Sequence, residues 1–226
     1  MRLRAVIFDV DGTLVDSQAD IVGAMEAAFV AEGLDAPSKD AILSTVGLSL
    51  DVALPILAPD QSEEICTRMV QGYKDAYMEL RRAQGAEISS PLYDGARAAL
   101  ERLKAQDELL LGVATGKSRR GLDKLIEAHA LEGYFLTRQV ADDHPSKPNP
   151  SMLFQAMRDL GVDTKDSVMI GDTSFDKDMA QSAGLHFIGV TWGYHDKARL
   201  AGADVLIDRF DQLEDALETI WSKNDV

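Results

Sequence analysis

Cysteine is almost missing from this chain: Cys66 is the single one in 226 residues. No internal disulfide and no cysteine-built zinc site can form, and a reducing compartment is the expectation. Long apolar runs are missing too. The stretch near the start, Ala5 Val6 Ile7 Phe8, is too short for a signal sequence, and nothing approaches the roughly 18 residues needed to cross a bilayer. Positive charge is scarce, with 23 Lys plus Arg against 38 Asp plus Glu and a formal net charge of −15. That balance disfavours nucleic acid and anionic membrane as partners. A small anionic substrate stays open, because screening confines distant surface charge to about 8 Å at physiological salt. The expectation is a cytoplasmic protein, monomer or homodimer, with no nucleic-acid or membrane partner. What is present is 46% hydrophobic residues, enough for the core of one large domain or of one domain with a smaller insert.

The periodicity changes character along the chain. After a first strand around residues 4–8, residues 18–83 carry helical segments near 18–33, 38–46, 50–57 and 61–83, punctuated by Gly33, Pro37, Gly47, Pro55 and Pro59. From Asp94 onward helices and strands alternate: helices 94–106, 118–129, 150–160, 173–183 and 210–222, and strands 109–114, 138–140, 167–171, 186–190 and 204–207. Alternation of this kind means a parallel sheet with crossover helices. The expected fold is α/β, a doubly wound, Rossmann-like parallel sheet formed by residues 1–15 and 88–226, with an all-α insert over residues 16–87.

The strand ends carry the polar groups. Ala5 Val6 Ile7 Phe8 runs into Asp9 Val10 Asp11 Gly12 Thr13, two carboxylates at the loop end of a strand, where open α/β sheets bind ligands. If strand geometry persisted past Phe8, both would share a face, and a divalent cation would relieve their repulsion. Such a pair alone is commonly a turn device. A calcium loop is excluded, because Leu14 stands where the sharp turn needs glycine and Asp20 where glutamate is usual. Leu109 to Ala114 leads into Thr115 Gly116 Lys117 Ser118, whose backbone N–H groups can hold a phosphate oxygen or whose hydroxyls can cap a helix. This is no P-loop, since position 111 is leucine where glycine is required. Pro145 Ser146 Lys147 Pro148 Asn149 Pro150 fixes one lysine in a stiff loop, and Val168 Met169 Ile170 enters Gly171 Asp172 Thr173 with Asp176 four residues past Asp172. Asp172 and Asp176 can meet across a first helical turn, although Asp176 also suits a helix N-terminus.

Taken together, in this order and each at a strand end, these segments resemble the four motifs of the haloacid dehalogenase-like phosphohydrolases: Asp9 Val10 Asp11 Gly12 Thr13, Thr115, Lys147, and Gly171 Asp172 Thr173 with Asp176. The helical insert looks like that family's cap domain, and Asp16 Ser17 with Tyr93 Asp94 Gly95 is similar to its phosphoglycolate phosphatase-like branch. The resemblance implies that Asp9 is the nucleophile forming an aspartyl phosphate and that Asp11 protonates the leaving oxygen and then activates water. It implies Mg2+ held by the Asp9 carboxylate, the Asp11 carbonyl and Asp172, supported by Asp176. Thr115 and Gly116 would hold phosphoryl oxygens and Lys147 would offset negative charge. The implied partner is a small phosphorylated metabolite, 2-phosphoglycolate first.

Departures narrow the branch. Gly47 Leu48 Ser49 Leu50 Asp51 sits where the family's cap presents a specificity loop, and Leu50 stands where phosphoglucomutase-like relatives carry arginine. Lys39 lacks the pattern of an imine-forming lysine, and Asp11 separates the chain from the dehalogenases. A sugar phosphomutase and a non-catalytic ligand-binding or interaction protein remain the alternatives. Trp192 Gly193 Tyr194 His195 borders the site or simply packs, Cys66 reads as core, and Ile21, Met25 and Ala28 read as the packed face of the first cap helix.

Overall fold

A strand without charge along its length has to be covered on both faces. The computed structural model describes residues 2–222 and begins with β1 (Arg4–Phe8), which past Arg4 is such a strand. A helical run follows: α1 (Gln18–Ala31), α2 (Lys39–Leu43), α3 (Leu50–Leu57), α4 (Glu63–Gln84) and a short α5 (Ala86–Ser89). Then come α6 (Ala96–Lys104), β2 (Leu109–Thr115), α7 (Arg119–Ala128), β3 (Thr137–Val140), α8 (Ser151–Leu160) and β4 (Ser167–Gly171). The chain closes with α9 (Ser174–Ala183), β5 (His186–Val190), β6 (Val205–Ile207) and α10 (Leu213–Ser222).

All six strands are parallel, in the order β3-β2-β1-β4-β5-β6. This is the doubly wound arrangement, with β1 and β4 flanking the point where the winding reverses and a crevice opens at the strands' carboxyl ends. Side chains of β1 alternate between the layers. Val6 and Phe8 join an apolar cluster with α6, α7 and α10, while Ala5 and Ile7 join one with α8 and α9. The helical run packs around a third cluster of its own, in which Ile21, Met25, Ala28 and Phe29 of α1 meet Ile42, Leu54 and Met69. Cys66 is buried in α4. Among the described residues, no helix is long and apolar enough to cross a membrane.

Local chemistry sets several boundaries. The helix expected at 38–46 is only Lys39–Leu43, because the Ser44 and Thr45 hydroxyls turn back onto the carbonyls of Ala41 and Ile42 and end it. The one expected at 94–106 begins at Ala96, after Gly95 in a left-handed conformation. The long α4 is capped by the Ser62 side chain and carries Glu63 and Glu64 in its first turn and Arg81 and Arg82 in its last, each sign complementing the helix dipole.

Phe8 is fully buried at the centre of the sheet, edge-on to Phe135 at 6.5 Å. Phe8→Ala should therefore cost about 3–5 kcal/mol of stability, read as a lower urea midpoint with an unchanged slope. A loss below about 1 kcal/mol would mean that the neighbouring helices can refill the space.

Candidate active site

Strand geometry stops at Phe8, so Asp9 and Asp11 part company. Both line one cavity, but their carboxylates meet different partners. Asp9, at the end of β1, is 1% exposed, and Asp172 and Asp176, beyond β4, are fully buried. Ligand oxygens of these three lie within 4.8 Å of one another. Lys147, from the proline-stiffened loop after β3, is the counter-charge: its Nζ lies 2.9 Å from Asp9 Oδ1 and 2.6 Å from Asp176 Oδ1. Two carboxylates thus share one ammonium, and a third, Asp172, crowds against them.

Electrostatics follow from that imbalance. Burial pushes the Asp9 carboxyl up to about 7, with Lys147 pulling the other way and Asp176 adding to the rise. Burial, then Asp176 and Asp9, hold Asp172 well above the usual carboxylate range. Asp9 Oδ1 is buried, and the Lys147 ammonium at 2.9 Å is the one positively charged group against it among the described residues, with no further donor beside it. An all-oxygen cluster, buried and short of positive charge, fits a hard divalent cation.

The backbone around the cluster is built to let these groups meet. Thr173 caps α9, and its N–H and hydroxyl donate to Asp176 Oδ2 at 3.0 and 2.6 Å. Asp176 is thereby both helix cap and partner of Lys147. Asp172 accepts from the Thr13 hydroxyl at 2.9 Å and from the Tyr194 N–H at 2.8 Å. Gly12, at φ +84°, has no room for a side chain, since a Cβ there would stand 2.3 Å from Asp172 Oδ2.

Asp11 is gripped by a residue that motif reading passed over. Lys117 Nζ donates to both Asp11 oxygens at 2.8 Å, and the Ser17 hydroxyl donates to Oδ1 at 2.5 Å. Burial alone would lower the Lys117 ammonium, but Asp11 more than reverses this and keeps it charged. Lys117 also donates to the Tyr77 hydroxyl of α4 at 3.2 Å, tying the helical block to the sheet. The signal in the sequence was the Gly116 Lys117 Ser118 triplet, weighed only against a P-loop. Thr115 is buried at the end of β2 and accepts from the Lys117 N–H at 3.2 Å. Gly116 lies so close under the helical block that an added Cβ would stand 2.6 Å from the Gly47 carbonyl oxygen.

The shared cavity is about 830 Å³, with Asp9, Asp11, Thr115, Gly116 and Lys117 on the sheet side and Ile21, Met25, Leu48, Leu50 and Tyr77 on the helical side. Lys147, Asp172 and Asp176 stand behind Asp9 rather than on its lining. The loop Trp192 to His195 does border the site. Trp192 Nε1 donates to the Thr13 carbonyl at 3.1 Å, and the Tyr194 hydroxyl accepts from the Ser17 N–H at 3.0 Å.

His195 is fixed between the two halves. Its Nδ1 accepts from the Ser174 N–H at 3.0 Å, so Nε2 carries the proton and donates to the Ser44 carbonyl at 3.1 Å. Burial, with Arg199 nearby, pushes its pKa down from 6.5 to about 4. As pH falls through that window the unfolded chain takes up a proton that the folded one resists, so stability drops. His195→Gln should flatten the acid-side loss between pH 6.5 and 4, measured by urea unfolding at stepped pH. Identical slopes in both proteins would show that His195 contributes nothing to it.

Comparison with known proteins places this site in a lineage. The family model described as haloacid dehalogenase-like hydrolase matches residues 6–190. A protein named probable phosphatase IndB, from Dickeya dadantii, is 37% identical over 95% of this chain and 94% of its own length. A protein named phosphoglycolate phosphatase, from Photobacterium profundum, is 28% identical over 96% of each. Among solved structures, a predicted phosphatase from Clostridium acetobutylicum superposes with a TM-score of 0.84 at 27% identity, covering 97% of this chain and all of that one. With the sheet order, the strand-end acids and the match over most of its length in agreement, the chain belongs to the haloacid dehalogenase-like hydrolase family.

Proposed function

We propose that this hydrolase is a magnesium-dependent phosphomonoesterase acting on a small phosphorylated metabolite through an aspartyl phosphate, with 2-phosphoglycolate as the first substrate to try. The observation that carries the reading is Asp9: a buried carboxylate on the cavity, next to two further buried acids and with the Lys147 ammonium 2.9 Å away. The chain is a phosphoric monoester hydrolase in the same sense as the relatives named above, and the phosphoglycolate assignment draws on the Photobacterium protein.

Asp9 attacks phosphorus and forms the acyl phosphate. Thr115 and the Gly116 N–H hold the transferring oxygens, and Lys147 offsets the charge gathered at Asp9 and the phosphoryl group. Asp11 gives a proton to the leaving oxygen and later takes one from water. Its pair with Lys117 is the contact that has to loosen for that proton to be carried. Magnesium, held by the Asp9 and Asp172 carboxylates and the Asp11 carbonyl with Asp176 in support, would neutralise charge developing on the phosphoryl oxygens. Residues 16–87 act as the cap over a core of residues 1–15 and 88–226, with hinges near 14–18 and 83–92, and its closure keeps water from the acyl phosphate. The setting is cytoplasmic.

Phosphate release from a metabolite panel, with and without Mg2+, tests this. Wild type should favour few substrates and need the metal, and Asp9→Asn should lose at least about 10³-fold in rate while still folding. Near-normal turnover in that variant would remove the covalent route. Isomerisation of a sugar phosphate without net phosphate release would turn the reading to a phosphomutase.

A further inference from the structure

One buried cation on the cavity has its best hydrogen-bonding edge unused. Arg81, in the last turn of α4, is 8% exposed and lines the cavity. Its Nη1 donates weakly to the Gly121 carbonyl at 3.4 Å, and its guanidinium stands 5.7 Å from the Tyr77 ring. Nε and Nη2 are buried with no hydrogen-bond partner. Two unmet donors on a buried guanidinium are unfavourable in the free protein and become favourable once one anion accepts both bonds.

Which anion is suggested by the edge itself. Nε and Nη2 form the side-on fork of the guanidinium, matched to the two oxygens of a carboxylate. Earlier on the same helix, Arg68 uses that fork on Glu32, with Nε donating to Oε1 at 3.0 Å and Nη2 to Oε2 at 2.6 Å. At Arg81 the fork has no carboxylate within hydrogen-bond reach: the buried Asp20 feels the guanidinium's charge but makes no ion pair with it among the described residues.

Position relates this edge to the reaction. Lys117 stands 5.0 Å from the same Tyr77 ring and 2.8 Å from both Asp11 oxygens. Since Asp11 would serve the leaving oxygen, Lys117 stands beside the leaving group, and Arg81 shares the Tyr77 ring with it. Tyr77 accepts from Lys117 at 3.2 Å, so its own hydroxyl proton is available to a ligand.

We propose that Arg81 and Lys117 form a subsite for a carboxylate carried on the leaving-group side of the substrate, Arg81 through its fork and Lys117 through its charge. This deepens the proposed function and rests on it, because the leaving-group side is defined by Asp9 and Asp11. The substrate class is a short-chain phosphate ester of a hydroxy acid. A purely structural Arg81, balancing the buried Asp20 that Ser90 contacts at 3.4 Å, would leave carboxylate preference unchanged.

The test is calorimetric binding to the full-length chain in magnesium buffer, comparing 3-phosphonopropionate with propylphosphonate, which lacks the carboxylate. Wild type should bind the carboxylated probe about tenfold or more tightly, the scale of a charge-assisted hydrogen-bonded pair. Arg81→Gln should erase most of that ratio, Arg81→Lys should keep the charge but lose the fork and fall between, and Lys117→Gln should reduce it. Thermal melts report folding, and if Arg81→Gln does not fold, Arg81→Lys decides. Equal binding of the two probes by wild type, or a ratio unchanged in the Arg81 variants, overturns the subsite. Tighter binding of ethane-1,2-bisphosphonate than of 3-phosphonopropionate overturns the choice of carboxylate over a second phosphate. Failure to hydrolyse any phosphate ester would instead count against the proposed function, while the binding ratio would still decide the subsite.

Discussion

Three buried carboxylates crowded together, with one ammonium between two of them, set the terms for everything around them. Asp9, Asp172 and Asp176 cannot move apart without moving β1, β4 or the first turn of α9, and those elements are fixed by apolar layers on both sides of the sheet. Lys147 is the compensation, and it is as buried as the acids it serves. Removing one partner from a buried ionic group leaves an uncompensated charge, an arrangement that typically costs about 3–5 kcal/mol. The cluster therefore acts against stability and has to be held in place by the rest of the fold. The Thr173 cap, the Thr13 hydroxyl and the Tyr194 N–H each spend a donor on it.

The helical block supplies the other half of the environment. Over a polar floor it sets Ile21, Met25, Leu48 and Leu50, so a ligand phosphate would meet fixed dipoles below and apolar surface above. Low local polarity strengthens each contact that Lys147 or Thr115 makes and raises the penalty for any left unmade. The block is joined to the sheet at the points that matter chemically. Tyr77 reaches Lys117, Ser49 N–H donates to Ser146 next to Lys147, and Ser44 receives His195. Any displacement of the helices is thus felt at the side chains around both Asp9 and Asp11.

Much of this was legible in the sequence, for identifiable reasons. An uncharged run such as Ala5 to Phe8, ending at a glycine turn in a chain of alternating strands and helices, reads as a strand covered on both faces, and polar residues at the carboxyl ends of such strands crowd one edge of a parallel sheet. The strand-end positions of Asp9, Thr115 and Asp172 followed from that, Asp176 from its spacing to Asp172, and Lys147 only from the resemblance to the family's motifs. What could not be read were contacts across long stretches of chain that no spacing encodes: Lys117 on Asp11, Tyr194 on Asp172, Tyr77 over Lys117. Pattern would put Asp9 and Asp11 on one face only if strand geometry ran past Phe8, whereas the strand stops there and each acid has its own cation. The short α2 escaped for a related reason, since side-chain hydroxyls rather than a glycine or proline end it.

Net charge and local charge point in opposite directions here, and the difference is instructive. A chain with a formal charge of −15 should repel anionic substrates at long range, yet screening limits that repulsion to roughly 8 Å at physiological salt. Inside the cavity the relevant quantity is which cations have unspent capacity. Lys147 is committed to Asp9 and Asp176, and Lys117 to Asp11 and Tyr77. Arg81 is committed least, and it lies on the helical side, where a leaving group rather than a phosphoryl group would be read. Under the proposed function the sheet carries the charges that act on phosphorus, and substrate choice falls to the seam between the halves, where Lys117 of the sheet side and Arg81 of the helical block both border the cavity.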